Sequence, residues 1–328
     1  MNQKSIINQL ELAYSPLTAY EFAMLKDDPL IEGALERASL YAITQRPVIT
    51  FENVVPDKSE YNLNFEIHQK GNPEILKGRL PLIQSVVGSS DPDTIGIAFN
   101  LLNKEQTHSE LPFTNIHGFS LFQQFEDSRK FLIWFSPEKL LQNWWRGDIE
   151  CEVLGNFRTF LNYKIHYVGK ATKQGILKRL KGHSTFQDIL SLEAPVTDKD
   201  LPANEIAVLF FEFQNNLQFQ TFGDNADIHE MVSALKGDNY PDQERIFLDA
   251  EKAIIKAIKP GYNKEMFHQY PKSKDGLYQA NYDAISYTFM DPITLHYDQG
   301  QIIGGLSPFG GDAIRVSNNK DLHLIKHS

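Results

Sequence analysis

The chain has 328 residues, of which 41% are hydrophobic and 12% aromatic, and its formal net charge is −10. This apolar fraction is enough for packed cores and argues against a largely disordered chain, and the length predicts about two domains. No run of about 18 apolar residues indicates a transmembrane helix, so we expect no membrane partner. The N-terminus lacks the pattern of a signal peptide. The single cysteine, Cys151, cannot form an internal disulfide, so we expect a cytoplasmic protein.

The first 150 residues predict helices followed by short strands. Residues 1–45 contain apolar side chains at helical spacing, most clearly over 28–43, so we expect this region to be helical. A helix is also expected after Ser136, which is placed to cap it, with Pro137 at the first position. Short β-branched or alternating segments predict strands at 47–55, 61–69, 94–102 and 130–135.

The second half of the chain alternates between strand and helix patterns. We expect a strand ending in a glycine turn, a helix, a core strand and a long helix ended by Pro-Gly, at residues 162–171, 172–183, 205–214 and 241–263. After Pro271 the pattern is again β-like, with Asp, Asn and Gly at the bends. We therefore predict an α+β protein with a larger N-terminal α+β domain (1–150), a central domain (151–271) and a small β-rich appendage (272–328).

One short basic segment interrupts an otherwise acidic chain. Residues 151–183 carry seven Lys and Arg side chains against Glu152 alone. Such a segment is typical of a local site for an anion, and a solvated helix face is the plain structural alternative. The lysines that we expect to steer a polyanion are Lys170, Lys173, Lys178 and Lys181.

Two charged side chains fall on the predicted apolar faces of helices. Arg179 and His183 share a face with Ile176 and Leu180, so a guanidinium would face the core and need an anionic partner. That partner is either a structural carboxylate or an oxyanion of a phosphodiester. Glu251 lies within the apolar stripe of the long helix, where a carboxylate pairs with a base, binds a metal or has a raised pKa. Mg²⁺ is a natural partner for such a carboxylate, because Mg²⁺ binds one or two protein carboxylates together with water and phosphate oxygens.

The order of these residues resembles the motifs of the GIY-YIG nuclease superfamily. YVG at 167–169 is similar to the second signature, YIG, and LKRLKGH is similar to the arginine-helix motif, with Arg179 and His183 four residues apart. AEKAIIKAIKPGYN resembles the later glutamate helix and its Pro-x-x-Asn ending, which supply Glu251 and Asn263. The resemblance implies a small GIY-YIG-like sheet with flanking helices.

The resemblance covers roughly residues 151–270, and its first signature, GIY, is degenerate. Where GIY is expected, upstream of YVG, the sequence reads Gly155-Asn156-Phe157, and Phe157 has no hydroxyl group. Either Tyr163 serves in a shifted register, or no first tyrosine exists. The long spacing between the arginine and glutamate motifs predicts an insertion that includes the core strand at 205–214.

The resemblance implies hydrolysis of DNA phosphodiester bonds with a divalent cation, Mg²⁺ or another such as Mn²⁺. Glu251 would hold the metal, Arg179 would stabilise charge on the phosphoryl group, and Asn263 would hold the glutamate or the substrate. Tyr167 would orient or deprotonate the attacking water, together with His183. The ordinary pKa of histidine makes His183 the better base of the two.

These expectations point to a metal-dependent DNA endonuclease, with restriction-like or anti-phage defence or DNA repair as its setting. A palindromic double-strand cutter would need a homodimer, and the flanking domains would recognise the target or contact a protein partner. Two alternatives stay open. One is a catalytically inactive GIY-YIG-like module that binds nucleic acid or protein, and a core-facing Glu251 argues against it. The other is a soluble α+β protein whose basic segment binds an anionic metabolite.

Overall fold

The computed structural model describes residues 3–82, 94–101, 111–172, 175–193, 204–224 and 227–327. This part of the chain forms seven α-helices and two β-sheets, so the predicted α+β class is confirmed. None of these seven helices combines the length and the hydropathy that crossing a bilayer requires.

The seven helices are mostly short, and the last of them is the longest. They are α1 (Ala19–Leu25), α2 (Pro29–Ala34), α3 (Pro137–Arg146), α4 (Ile176–Lys181), α5 (Ser184–Leu192), α6 (Ile228–Lys236) and α7 (Gln243–Ile258). The strands are β1 (Gln3–Leu12), β2 (Leu17–Thr18), β3 (Leu40–Pro47), β4 (Ile49–Asp57), β5 (Asn62–Gln69), β6 (Leu76–Pro81), β7 (Ile95–Leu101), β8 (Ile116–Gln124), β9 (Arg129–Phe135), β10 (Glu152–Leu154), β11 (Asn162–Lys170), β12 (Asn204–Thr221), β13 (Ala284–Phe289), β14 (Thr294–Tyr297), β15 (Gly300–Ile303), β16 (Ala313–Ser317) and β17 (Asp321–Ile325). Short 3-10 helices cover Phe157–Phe160 and Tyr278–Ala280.

The chain divides into two compact units that are discontinuous in sequence. Unit 1 consists of Met1–Gln45, Asn162–Glu193 and Ile206–Ser328, and unit 2 consists of Arg46–Leu161 and Ala194–Glu205. These limits differ from the domain boundaries predicted after residues 150 and 271. The difference arises because local patterns identify elements but do not show which distant strands pair.

The sheet of unit 1 joins both ends of the chain to its middle. Its order is β15-β14-β11-β3-β12-β1-β13-β16-β17, and β2 pairs with β12. β1 is antiparallel to β12 and parallel to β13, so the first strand of the chain lies between strands from far downstream. The predicted C-terminal strands are present, but they extend this sheet on both sides and do not form an appendage of their own.

The prediction that residues 1–45 are helical is wrong at both ends. β1 buries every second side chain, which is the period of a strand, at Ile6, Asn8, Leu10 and Leu12. The helical pattern predicted over 28–43 ends as a helix at Ala34, and the chain continues as β3 from Leu40. Burial within a large sheet outweighs the helical spacing of the apolar residues here, because helix propensity is a weak preference.

Three predicted elements downstream are confirmed with their end signals. Ser136 caps α3 by accepting a hydrogen bond from the Lys139 N–H at 3.3 Å. α7 is capped by Asp242 and ends at Lys259 (φ 49°), immediately before Pro260. The predicted core strand is β12, which lies between β3 and β1.

Unit 2 has a sheet and a core of its own. Its order is β10-β6-β5-β4-β8-β7, and β9 pairs with β8. The core is aromatic: the Phe51 ring lies 5.3 Å from the ring of Phe65 and 5.1 Å from that of Phe119, between centroids.

A buried arginine holds two carboxylates in unit 2. The Arg46 side chain is fully buried and pairs with Glu138 and with Glu205, the latter at 2.7 Å. His117 Nε2 lies 3.2 Å from the second oxygen of Glu205. Burial alone would raise the pKa of Glu205, but Arg46 and His117 hold that pKa at about 2.

Acid should destabilise unit 2 through Glu205. Its pKa in the folded protein is about 2, against an ordinary value of 4.5. The stability that it contributes is therefore complete above its ordinary pKa and is lost as the pH falls through that window. We expect the free energy of unfolding, measured with urea, to fall over this range. Glu205→Gln should flatten this dependence and cost about 3 kcal/mol at neutral pH, because Arg46 loses a buried partner.

The exposed Glu74→Gln in the same unit is the matched control, and it should change neither quantity. An acid dependence that is the same in Glu205→Gln and in the unsubstituted protein would contradict the assignment.

Candidate active site

Strand β11 carries the YVG residues and pairs antiparallel with β3. In this ladder Tyr41 lies opposite Gly169, and Ile43 lies opposite Tyr167. The rings of Tyr41 and Tyr167 are 6.0 Å apart between centroids. A second tyrosine therefore stands beside YVG, and it comes from the first unit-1 segment of the chain.

Neither residue considered from the sequence as the first-signature position stands beside Tyr167 in this way. Phe157 belongs to unit 2, where its ring lies 5.1 Å from that of Trp144. Tyr163 is buried in β11 opposite Leu295 of β14. Tyr41 was missed because it fell at the end of a predicted helix. The strand-like run Tyr-Ala-Ile-Thr that begins there was the signal that could have found it.

Gly169 allows the two tyrosines to approach each other. A Cβ atom at this position would lie 2.6 Å from Tyr167 Cε1 and 2.7 Å from the hydroxyl oxygen of Tyr41. Both distances are shorter than real Cβ contacts, so a side chain here would displace the rings. The glycine lies within β11, and its role is this close approach and not the turn that the sequence predicted.

Asn263 holds the backbone of the YVG strand. Its Oδ1 accepts from the Val168 N–H at 2.9 Å, and its Nδ2 donates to the Val168 carbonyl at 2.8 Å. β14 pairs with β11 at residues 162–164, and further along the strand Asn263 takes the place of a neighbouring strand. These contacts position β11, and the predicted role of Asn263 in holding the glutamate or the substrate stays a prediction.

His183 does not lie on the helix that carries Arg179, so their predicted shared face is wrong. α4 ends before Gly182, and His183 is the N-cap of α5, where its Nδ1 accepts from the Phe186 N–H at 3.2 Å. Its Nε2 lies 3.3 Å from the hydroxyl oxygen of Tyr167. Because Nδ1 is an acceptor, the neutral ring carries its proton on Nε2 and donates it to Tyr167.

Arg179 is exposed and does not face the core as predicted. The buried side of α4 consists of Ile176, Leu177 and Leu180. Among the described residues Arg179 makes no ion pair with a carboxylate. Burial raises the pKa of Tyr41 and of Tyr167, and Arg179 opposes that rise through its charge and its hydrogen bonds to both phenols. The guanidinium is therefore available to an external anion.

Glu251 lies on the buried side of α7, as predicted, and pairs with Lys170. The Lys170 Nζ lies 2.9 Å from Glu251 Oε2, and the carboxylate side chain is 11% exposed. Burial raises the pKa of Glu251, and Lys170 opposes that rise. Lys170, which we expected to steer a polyanion, instead balances the charge of the predicted metal ligand.

The other predicted lysines differ in their surroundings. Lys178 is exposed on α4. Lys181 forms an ion pair with Asp27. Lys173 lies outside the described residues.

Two cavities in unit 1 are lined in part by the same residues of the candidate site. One of about 560 Å³ also includes Lys170, Glu244 and Asp275. The other, of about 310 Å³, includes His183 and Asn263. The residues common to both cavities are Tyr167, Arg179 and Glu251.

The site shifts the pKa of its imidazole and of its two buried phenols in opposite directions. Burial, with Arg179 nearby, lowers the pKa of His183, so the imidazole is neutral at pH 7. Burial raises the pKa of Tyr41 and of Tyr167, and the charge of Glu251 raises that of Tyr167 further. The arrangement can therefore donate hydrogen bonds from the imidazole and the phenols, and it presents the cation of Arg179.

Glu251 is the buried carboxylate with which this site could ligate a divalent cation. In the described ranges there is no group of three or more His, Cys, Asp or Glu side chains that could hold a metal ion. Mg²⁺ does not need such a group, because water and phosphate oxygens supply most of its ligands. Lys170 competes for the same Glu251 oxygen. A cation there would have to compete with Lys170 and take its remaining ligands from water and an anionic substrate.

Comparison of the chain with protein-family models, with curated proteins and with solved structures found no match.

Removal of the Asn263 amide should destabilise unit 1. Asn263→Ala leaves a buried N–H and a buried carbonyl of Val168 without partners, which should cost about 2–3 kcal/mol of unfolding free energy. Urea denaturation measures the change. Asn239→Ala, at an exposed position, is the control and should have little effect. Equal stability of the two variants would show that the Val168 contacts are not needed.

Proposed function

We propose that this protein is a metal-dependent endonuclease that hydrolyses DNA phosphodiester bonds with a GIY-YIG-like site. The observation that carries the proposal is that Tyr167, Arg179 and Glu251 line two adjacent cavities, with Tyr41 packed against Tyr167, although these residues come from segments far apart in the sequence. A cytoplasmic location, a homodimer, and a setting in defence or repair stay predictions.

Arg179 supplies the positive charge for the reacting phosphate. Its planar fork of donors matches two oxygens of a phosphoryl group, and charge-assisted hydrogen bonds of this kind are strong. Because the guanidinium has no carboxylate partner among the described residues, binding a phosphate breaks no ion pair. A phosphate bound to Arg179 would lie near the phenols to which the guanidinium donates.

Tyr167 is the better candidate for the group that takes a proton from the attacking water. His183 donates from Nε2 to the Tyr167 oxygen, a contact that stabilises a phenolate. We therefore favour Tyr167 over His183 as the base, because His183 Nδ1 already accepts from the backbone. Tyr41 is fully buried, whereas Tyr167 lines both cavities, so water reaches Tyr167 more readily.

Glu251 would hold the divalent cation. A cation there supplies positive charge that polarises the phosphoryl group and stabilises the leaving oxygen. With a cation bound, Lys170 would share the carboxylate or move away from it, and Lys170 lines the same cavity as Arg179. Neutralising Glu251 also removes one cause of the raised pKa of Tyr167.

One observation favours the alternative of an inactive binding module. The Lys170–Glu251 pair already balances the charge of the carboxylate, so the fold does not require a metal ion. Such a module would bind DNA equally well with and without Mg²⁺ and would not cleave it.

Glu251→Gln should abolish cleavage while the protein stays folded. We expect Mg²⁺-dependent nicking or linearisation of supercoiled plasmid, no reaction in EDTA, and a loss of about 10²–10³-fold in the variant. Agarose gels measure the reaction, and circular dichroism checks the fold. Glu32→Gln, which removes an exposed carboxylate of α2, is the matched control.

Plasmid cleavage by Glu251→Gln at the normal rate would reject the metal assignment. Intact plasmid together with a gel shift for the unsubstituted protein would favour the binding module.

A series of tyrosine substitutions should identify the residues that act on the water. We expect Tyr167→Phe to lose about 10²-fold or more in single-turnover cleavage rate. Tyr41→Phe should also be slow, because its hydroxyl lies over Gly169 beside Tyr167. Tyr163→Phe should stay near the normal rate. A slow Tyr163→Phe combined with a normal Tyr41→Phe would restore Tyr163 as the first tyrosine.

A further inference from the structure

The loop after α7 interleaves basic and aromatic residues. Residues 259–274 contain four lysines, three aromatic side chains and His268, against Glu265 alone. Cations combined with aromatic rings are typical of surfaces that bind a nucleic-acid backbone and stack its bases. This segment lies outside the basic stretch at 151–183, and none of its lysines is used in the chemistry proposed above.

Buried contacts fix the conformation of this loop. The Tyr270 hydroxyl donates to Asp249 Oδ2 at 2.7 Å within the core. Lys256 Nζ donates to the His268 carbonyl at 3.0 Å. The cations of the loop therefore project from a defined backbone, which reduces the entropy lost when a ligand binds.

The loop lines a cavity of about 510 Å³ in which two lysines are accessible to an anion. The acids of this wall are engaged: Asp275 pairs with Lys252 at 2.6 Å, and Glu265 accepts from the Phe267 N–H at 3.0 Å. Lys272 and Lys274 are exposed and, within the described ranges, form no ion pair.

Phe267 separates this cavity from the candidate active site. Its side chain lines both this cavity and the 310 Å³ cavity that contains Arg179 and Glu251. Its backbone has φ 47°, which is rare for a bulky residue, and such strained positions cluster at functional sites. Phe267 is half-buried, so part of the residue is open to a ligand, and Lys252 Nζ lies over its ring at 5.9 Å from the centroid.

We propose that the cavity of residues 265–275 binds the nucleotide next to the scissile phosphate of a DNA strand. Lys272 and Lys274 contact its phosphate, and its base stacks on Phe267. The position relative to the scissile phosphate rests on the proposed nuclease function. DNA binding by the cavity does not, and it can be measured without cleavage.

The test is the affinity for a fluorescein-labelled DNA duplex and for its single strand, measured by anisotropy in EDTA. The double variant Lys272→Gln/Lys274→Gln should raise Kd about tenfold and reduce the slope of log K against log salt by about 1–2. Lys236→Gln/Lys320→Gln removes the same charge at exposed positions of unit 1 and is the matched control.

Phe267→Leu and Phe267→Trp test the stacking contact. Leu keeps the apolar bulk and should weaken binding of the single strand about tenfold, whereas Trp keeps a ring and should preserve it. Thermal unfolding confirms that each variant is folded.

The outcomes separate the two proposals. Weaker binding by the loop variants supports the cavity even if the protein never cleaves DNA. Loop variants that bind like their control overturn the cavity proposal and leave the nuclease assignment standing. An RNA duplex of the same sequence that binds tenfold more tightly would overturn DNA as the ligand.

Discussion

The close contact of Tyr41 and Tyr167 over Gly169, made by the pairing of β3 with β11, is the constraint on which the candidate site depends. A strand ladder fixes which residues lie opposite each other. A slip of the register by one residue would turn each side chain to the other face of the sheet. Asn263 reinforces the same strand from its other side. The phenols are thus positioned by backbone pairing, and not by the flexible side chains around them.

The two strands of this ladder are separated in sequence by almost all of unit 2. Such an insertion is compatible with the fold, because the entropy of closing a loop grows slowly with its length. Unit 2 also supplies its own sheet, an aromatic core and the buried Arg46 cluster. The ladder and the insertion therefore make separate contributions to stability.

One charged side chain of the site has an oppositely charged partner, and another does not. Glu251 is buried and paired with Lys170, whereas Arg179 is exposed and has no carboxylate partner among the described residues. Anionic ligands are therefore favoured at Arg179, and a cation at Glu251 must compete with an ammonium group. This asymmetry is why the cation and the substrate are expected to bind together, and why the formal charge of −10 does not exclude a polyanionic partner.

The sequence was sufficient to predict the elements that have strong local signals. α7 and its end, the cap at Ser136, the strand β11 and the burial of Glu251 all follow from periodicity and capping. Helical spacing was misleading before Tyr41 and between Arg179 and His183, where sheet pairing and the turn at Gly182 prevail. The partners Lys170 for Glu251 and Val168 for Asn263 come from contacts between distant segments. Local patterns record which side chains favour burial, whereas the pairing of Tyr41 with Gly169 depends on long-range packing that no local window contains.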